Sequence, residues 1–278
     1  MTTLEVLNAA ASYLGKKGIE SPRLNAEHLL AHSLGKKRLD LYLEFDRPLS
    51  EAERAPLRDL VRHRSEGRPL QHLLGTSEFH GHEFLSDTRA LIPRPETEHL
   101  VELVLSTLDS QPKTLIDVGT GSGIIAITLG LAWPDTAVHA TDLSPDALAL
   151  ARENAARLSA GNVTFHETDL LPPGDDRYEV IVANLPYIPA ADLPGLAREV
   201  HHDPVAALDG GPDGLDPIRH LVALAPERLL AGGHLFLELG HDQAERVVKL
   251  VTTTGFMQAR AHSDLSGIDR FVSARLPK

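Results

Sequence analysis

The chain has 278 residues, 42% hydrophobic and 24% charged, with a formal net charge of −12 and no cysteine; disulfides, thiolate metal sites and a cysteine nucleophile are thereby excluded. Length and apolar content suit a globular protein of two domains. No run approaches the roughly 18 apolar residues of a membrane span, and Met1-Thr2-Thr3-Leu4-Glu5 does not open a basic-then-apolar leader, so the cytoplasm is the expected compartment.

Along the chain, Leu4, Val6, Leu7, Ala10, Ala11 and Leu14 recur at helical spacing and predict a helix over 3–17, ended by Gly15 to Gly18. Ser21-Pro22 reads as an N-cap followed by proline in the first helical position, opening a second helix that Gly35 stops. Ser50 with Glu53 three residues on is a capping-box pattern, and Leu57, Leu60 and Val61 carry that helix to about Gly67. Residues 1–75 are therefore expected to form a small helical bundle. Phe79, Phe84 and Leu85 among short polar residues then suggest a strand pair, read as a linker over 76–90. The 91–278 remainder opens with a helix over 96–108 and goes on to alternate: strand 114–118, helix 123–132, strand 137–141, helix 145–157, strands 163–166 and 178–183, helix 215–230, strand 233–239, helix 242–253, and strands near 256–262 and 269–274. That order is an α/β, doubly wound, Rossmann-like sheet.

Charge divides between the two parts. Residues 1–75 carry 12 Lys/Arg against 10 Asp/Glu, and the remainder 15 against 29. An acidic second part argues against a grip on long nucleic acid, where cationic surface supplies much of the affinity.

Two motifs carry chemistry. The buried strand Leu115-Ile116-Asp117-Val118 runs into Gly119-Thr120-Gly121-Ser122-Gly123, a turn in which glycines let the backbone bend tightly and approach a ligand closely. Ile124 stands where a dinucleotide fingerprint would place its third glycine, which points away from a pyrophosphate cofactor. The next strand ends in Asp142, about 20 residues past the glycines, where a carboxylate can accept from both hydroxyls of a ribose. Asp169 after the third strand is placed to hold an adenine amine, and Leu170 to cover the ring. Taken singly, the glycines also read as a structural turn and Asp142 as a turn cap.

The second motif is Asn184-Leu185-Pro186-Tyr187, directly after the apolar run Val180-Ile181-Val182-Ala183. An amide nitrogen is a poor nucleophile because its lone pair is delocalised, so alignment matters more than a strong base. The Asn184 side-chain oxygen and the Leu185 carbonyl can each accept one N–H, Pro186 fixes the backbone, and Tyr187 can stack on the planar group. A strand-to-loop turn with Asn as a local cap is the bland alternative.

The glycine turn, Asp142, Asp169 and Leu170 together resemble the class I S-adenosylmethionine-dependent methyltransferases over roughly residues 90–275. That likeness implies S-adenosyl-L-methionine bound by Gly119, Thr120, Gly121, Ser122, Gly123, Asp142, Asp169 and Leu170, with the sulfonium beside Asn184 and no metal. The tetrapeptide resembles the Asn-Pro-Pro-Tyr signature of amino-methyltransferases, with Leu185 in place of the first proline, and equally the Asn-Leu-Pro-Tyr of ribosomal-RNA adenine dimethyltransferases. The flanking segments are more specific. Leu91-Ile92-Pro93-Arg94-Pro95-Glu96-Thr97-Glu98, Ala207-Leu208-Asp209-Gly210-Gly211-Pro212-Asp213-Gly214-Leu215 and Leu237-Glu238-Leu239-Gly240 are similar to the PrmC/HemK family, protein-(glutamine) methyltransferases acting on peptide chain release factors. His202-Asp203-Pro204 departs from that family, which more often has Glu before this proline.

The resemblance implies a helical domain that recognises a release factor and a catalytic domain that methylates the glutamine of its Gly-Gly-Gln motif. Asn184, Pro186 and Tyr187 would be its catalytic residues and Asn184 to Tyr187 its substrate turn, with no nucleic-acid substrate, no membrane and a monomer as the default. Arg62, Arg64 and Arg68 would offer the bundle a basic docking edge. A nucleic-acid adenine methyltransferase is the alternative, and a cofactor-binding module without turnover is a third reading. His28 and His32 are four apart on a helix, but Leu29 stands where a zinc protease needs Glu, and no hydrolase elbow is present.

Overall fold

A computed structural model describes residues 1–278 and divides the chain into two compact units, Met1–Thr76 with Ala197–His202, and Ser77–Leu196 with Asp203–Lys278. The first unit holds α1 (Thr3–Lys16), α2 (Pro22–Leu34), α3 (Arg38–Leu43), α4 (Glu51–Ser65) and α5 (Leu70–Leu74). Its core is an aliphatic cluster that includes Leu7, Leu14, Leu29, Leu30, Leu41 and Leu57. The two short helices α3 and α5 were not expected, since neither is long enough to set up an apolar repeat. Ser50 caps α4 as its spacing predicts, accepting from Glu53 N while the Glu53 carboxylate accepts from Ser50 N. Ser21 does not cap α2: its backbone lies in the left-handed region at φ 46° and its side chain makes no cap bond. Asn25 takes over that corner, its Nδ2 donating to the carbonyls of Glu20 and Ser21.

The expected basic edge loses a member. Arg64 is buried, donating through Nε to Asn25 Oδ1 at 2.7 Å, through Nη1 to Arg68 O at 3.1 Å and through Nη2 to Glu199 at 2.5 Å. Only Arg62 and Arg68 of the three remain exposed.

The second unit opens with the ribbon β1 (Thr76–Phe79) and β2 (His82–Leu85), joined through His80 and Gly81, both at positive φ, as a tight hairpin with right-handed strand twist requires. Read from sequence as a linker, the ribbon contributes Phe79 and Phe84 to the same core as Leu100, Leu115 and Ile127. Then follow α6 (Pro95–Thr107), β3 (Thr114–Val118), α7 (Ile124–Ala132), β4 (Ala137–Asp142), α8 (Pro145–Leu158), β5 (Val163–Glu167), β6 (Tyr178–Ala183), α9 (Asp216–Arg228), β7 (Leu229–Glu238), α10 (Ala244–Thr253), β8 (Met257–Ser263) and β9 (Asp269–Arg275).

The strands form one seven-stranded sheet in the order β5-β4-β3-β6-β7-β9-β8. All pairings from β5 to β7 are parallel, and β9 runs antiparallel between β7 and β8. Strands added after β3 go first to one side and then, from β6, to the other. The crevice between β3 and β6 is thus the topological switch point, where open α/β sheets bind ligands at their carboxyl ends. Val118 and Ala183 are paired there, so Gly119 and Asn184 leave the sheet side by side.

Candidate active site

On the β3 side the backbone is bent by Gly119, Gly121 and Gly123, at φ 74°, 56° and 84°. The N–H groups of Gly119 and Thr120 both donate to Thr141 O, binding the turn to the end of β4. Beneath it lies Asp117, fully buried, accepting from Thr120 Oγ1 at 2.6 Å and Ala126 N at 3.1 Å. Burial pushes its carboxyl up to about 7 against those two bonds. Thr120 and Ser122 are themselves buried, so both serve the turn inward, and the side chain of Thr120 is committed to Asp117. Asn154 clamps the turn from α8, donating to Ser122 O and Leu85 O and accepting from Leu85 N.

Asp142 accepts from Gly121 N at 2.8 Å and from Ser144 N at 2.9 Å, one bond on each oxygen. Each oxygen keeps a lone-pair site, so the carboxylate can hold a diol while it shapes the glycine turn. Over Gly121 an added Cβ would meet nothing nearer than 4.0 Å, leaving the space that a closely approaching cofactor needs. Asp169 is exposed, and Leu170 sits at φ 55° with its carbonyl accepting from Thr141 Oγ1 at 2.6 Å. Leu143, 69% exposed directly after Asp142, is a second apolar side chain at this edge that sequence reading passed over, since a single exposed leucine has no pattern. The residues present fit a nucleoside bearing a free diol.

On the β6 side, Asn184 is partly buried and donates through Nδ2 to Thr97 Oγ1 on α6 at 3.2 Å. Leu185 is buried, and a Cβ added at Gly119 would lie 2.8 Å from its Cδ2, so the two motifs touch through this leucine. The Tyr187 carbonyl accepts from Gln243 Nε2 at 2.8 Å, and Gln243 Oε1 accepts from Gly240 N. Burial, then the charge of Glu238, pushes the Tyr187 hydroxyl up to about 12, so this ring stays neutral at physiological pH.

The segment after the turn is braced by the glycine-rich stretch 207–215. Ile188 N donates to Leu208 O, Gly210 N to Ile188 O and Ala190 N to Gly211 O. At Gly214, φ 77°, an added Cβ would fall 2.3 Å from Tyr187 O, so only glycine lets the two chains close. Asp203, the departure noted in the sequence, has a buried side chain that accepts from Ile92 N at 3.3 Å and Arg94 Nη2 at 2.7 Å, anchoring the segment that leads into α6.

Glu238 ends β7 beside Asn184, since Leu237 pairs with Ala183. It is 2% exposed, Oε2 has no hydrogen-bond partner, and burial pushes its carboxyl up to about 7, opposed first by hydrogen bonding with Thr97. Thr97, Glu238, Asp203 and Gln243 were not foreseen as site residues. The first two stand inside motifs named above, but their meeting depends on α6 packing over β7, the strand beside β6.

A sheet of this order, a glycine turn beside an acidic strand end, and an Asn-x-Pro-Tyr turn across the switch point define a class I methyltransferase. The methyltransferase small domain matches residues 97–213, and the PrmC N-terminal domain matches residues 5–75. The fold is shared with a crystallised methyltransferase from Pyrococcus furiosus, 16% identical, with a TM-score of 0.53 over 72% of this chain and 91% of that one. The release factor glutamine methyltransferase of Geobacter sulfurreducens is 45% identical over 99% of this chain and 97% of its own, and that of Deinococcus radiodurans 44% over 99% of both. The chain belongs to the release factor glutamine methyltransferase family.

Proposed function

We propose that the protein transfers the methyl group of S-adenosylmethionine to the side-chain amide nitrogen of the glutamine in the Gly-Gly-Gln motif of peptide chain release factors. The observation that carries this reading is the engagement of Asn184: its nitrogen is held by Thr97, while its oxygen has no protein donor. That oxygen and the Leu185 carbonyl are the two acceptors that an amide NH₂ requires.

In this reading Gly119 to Gly123 give the cofactor a close backbone approach, Asp142 accepts from its ribose hydroxyls, and Asp169 and Leu170 receive its base. When bound, the cofactor supplies a methyl on a positively charged sulfur, so departure of that sulfur needs no acid. Asn184 and Leu185 each accept one amide hydrogen and aim the nitrogen lone pair at the methyl carbon; such alignment can lower a barrier by about 7–11 kcal/mol. Tyr187 stacks on the planar amide and excludes water, and Pro186 fixes the turn between them. With the cofactor bound, a nitrogen–carbon bond would form as its carbon–sulfur bond broke, and the methylated amide would lose its extra proton to solvent as the product leaves.

Residues 1–75 recognise the partner and residues 91–278 do the chemistry, in the cytoplasm, as a monomer and without a nucleic-acid substrate. No helix is long and apolar enough to cross a membrane. An adenine methyltransferase shares the tetrapeptide, but the full-length relatives and the acidic balance do not favour it. A transfer assay with labelled cofactor, offering release factor, transfer RNA, ribosomal RNA and duplex DNA, tests the proposal: label is expected in the release factor, and label confined to nucleic acid would overturn it.

A further inference from the structure

We propose that Thr97 and Glu238 are positioning residues that fix which end of the Asn184 carboxamide faces the substrate. The inference rests on the reading of Asn184 as an acceptor for the glutamine N–H groups. The two ends of a carboxamide are nearly the same shape, so an unconstrained Asn184 can turn by 180°. Turned, it would present N–H donors to the N–H donors of the incoming amide, and the substrate would be repelled rather than held.

Thr97 alone cannot prevent that. Its hydroxyl both donates and accepts, so it can satisfy either end of Asn184. An ionised carboxylate only accepts. Glu238, buried at the end of β7 and hydrogen-bonded with both Thr97 and Asn184, draws the Thr97 proton towards itself and leaves the Thr97 lone pairs to Asn184. With its proton so committed, Thr97 Oγ1 can only accept, which is the observed arrangement, Nδ2 at 3.2 Å from it. The Asn184 N–H groups thus face two acceptors, the Thr97 oxygen and the Glu238 carboxylate, with Thr97 O–H turned to the same carboxylate, and the Asn184 oxygen is left to the cleft. A free carboxylate oxygen, Glu238 Oε2, without a partner is the expense of keeping an acceptor-only group there, in a place where a buried apolar residue would pack without it.

The selection depends on ionisation, because a protonated Glu238 can itself donate and makes Thr97 ambivalent again. The charged groups acting on Glu238 are Glu96 on α6, which favours its neutral form, and Arg270 on β9, which favours the charged form. The Tyr187 hydroxyl nearby stays neutral. Burial brings the Glu238 carboxyl to about 7, so the charged fraction changes within the working range of pH.

The test uses the full-length chain with release factor and S-adenosylmethionine. Thr97→Val keeps the shape and removes the hydroxyl; its kcat is expected to fall roughly ten- to hundred-fold, the scale of a misaligned reactant, while calorimetric affinity for the cofactor stays within about twofold. Thr97→Ser is expected to regain most of the lost rate. The parent is expected to gain kcat as pH rises through about 7, and Glu238→Gln, whose carboxamide can turn either way, is expected to lower kcat and to lack that rise. Melting curves identify variants that fail to fold, and Thr97→Val, with no charge added or removed, keeps the test open if Glu238→Gln is one of them. Asn184→Ala separates the two levels. If it is inactive while folded Thr97→Val keeps parental kcat, the proposal is overturned; if Asn184→Ala itself retains turnover, the underlying reading of the site fails.

Discussion

At the scale of single residues, chemistry is divided between groups that face the cleft and groups that hold them. Asn184→Ala is expected to abolish turnover with cofactor affinity changed by no more than a few-fold, because its loss is felt in substrate alignment; steady-state kinetics beside calorimetric titration decides it. Asp142→Ala is expected to weaken cofactor binding by about 1.5–3 kcal/mol, the range of hydrogen bonds to a charged group. The structure adds that Asp142 also receives Gly121 N and Ser144 N, so part of that loss arises from a loosened glycine turn. Calorimetry with adenosine and with 2′,3′-dideoxyadenosine divides the two contributions, since only the first ligand offers a diol. Leu185 illustrates a residue whose side chain and backbone do separate things: in the proposed reading its carbonyl accepts from the substrate amide, while the side chain fills the space against Gly119.

At the scale of elements, the caps show where a local pattern decides structure and where it does not. Ser50 and Glu53 make their reciprocal bonds, so Ser50→Ala is expected to destabilise the protein by about 1 kcal/mol. Ser21→Ala is expected to change stability by less than a few tenths of that, because no hydrogen bond to its side chain is lost. Denaturant titration of the two variants side by side gives the comparison, and equal losses would contradict it. The difference lies in Pro22, which removes one N–H from the first turn, and in the left-handed backbone of Ser21, at which the hydroxyl makes no cap bond. The glycine-rich segment after the Asn184 turn likewise acts mechanically: Gly214 closes on Tyr187 where any side chain would hold it off, and Gly210, which donates to Ile188 O, has Gly214 where a Cβ would stand.

For the whole molecule, two buried carboxyls link stability to pH. Asp117 and Glu238 both titrate near 7 in the folded chain, above their ordinary values of 3.8 and 4.5. Between those values the folded state binds more protons than the unfolded one, so their contribution is complete at low pH and is lost as pH rises through about 7. His139, His234 and His262, held below the usual histidine value by burial, act in the opposite direction below about 6.5 and mask the effect in the parent alone. The comparison with Glu238→Gln isolates it: the melting temperature of the variant relative to the parent is expected to rise from pH 5.5 to pH 8, and a constant difference would refute the assignment.

Local pattern and motif spacing determined the α/β order, the helical first part, the glycine turn and the Asn184 turn, because helical period, strand runs and glycine turns act within a few residues of sequence. The same reading placed Arg64 on the surface and Ser21 in a cap, and it left Asp203 without a role. Those outcomes belong to tertiary structure, since Arg64 meets Glu199 and Asp203 meets Arg94 across more than a hundred residues. The convergence of Thr97, Asn184 and Glu238 is of the same kind. A hydroxyl, an amide and a carboxylate carry no mark in sequence of which will be driven together by burial; only the strand order, which sets β6 beside β7 under α6, makes them one group.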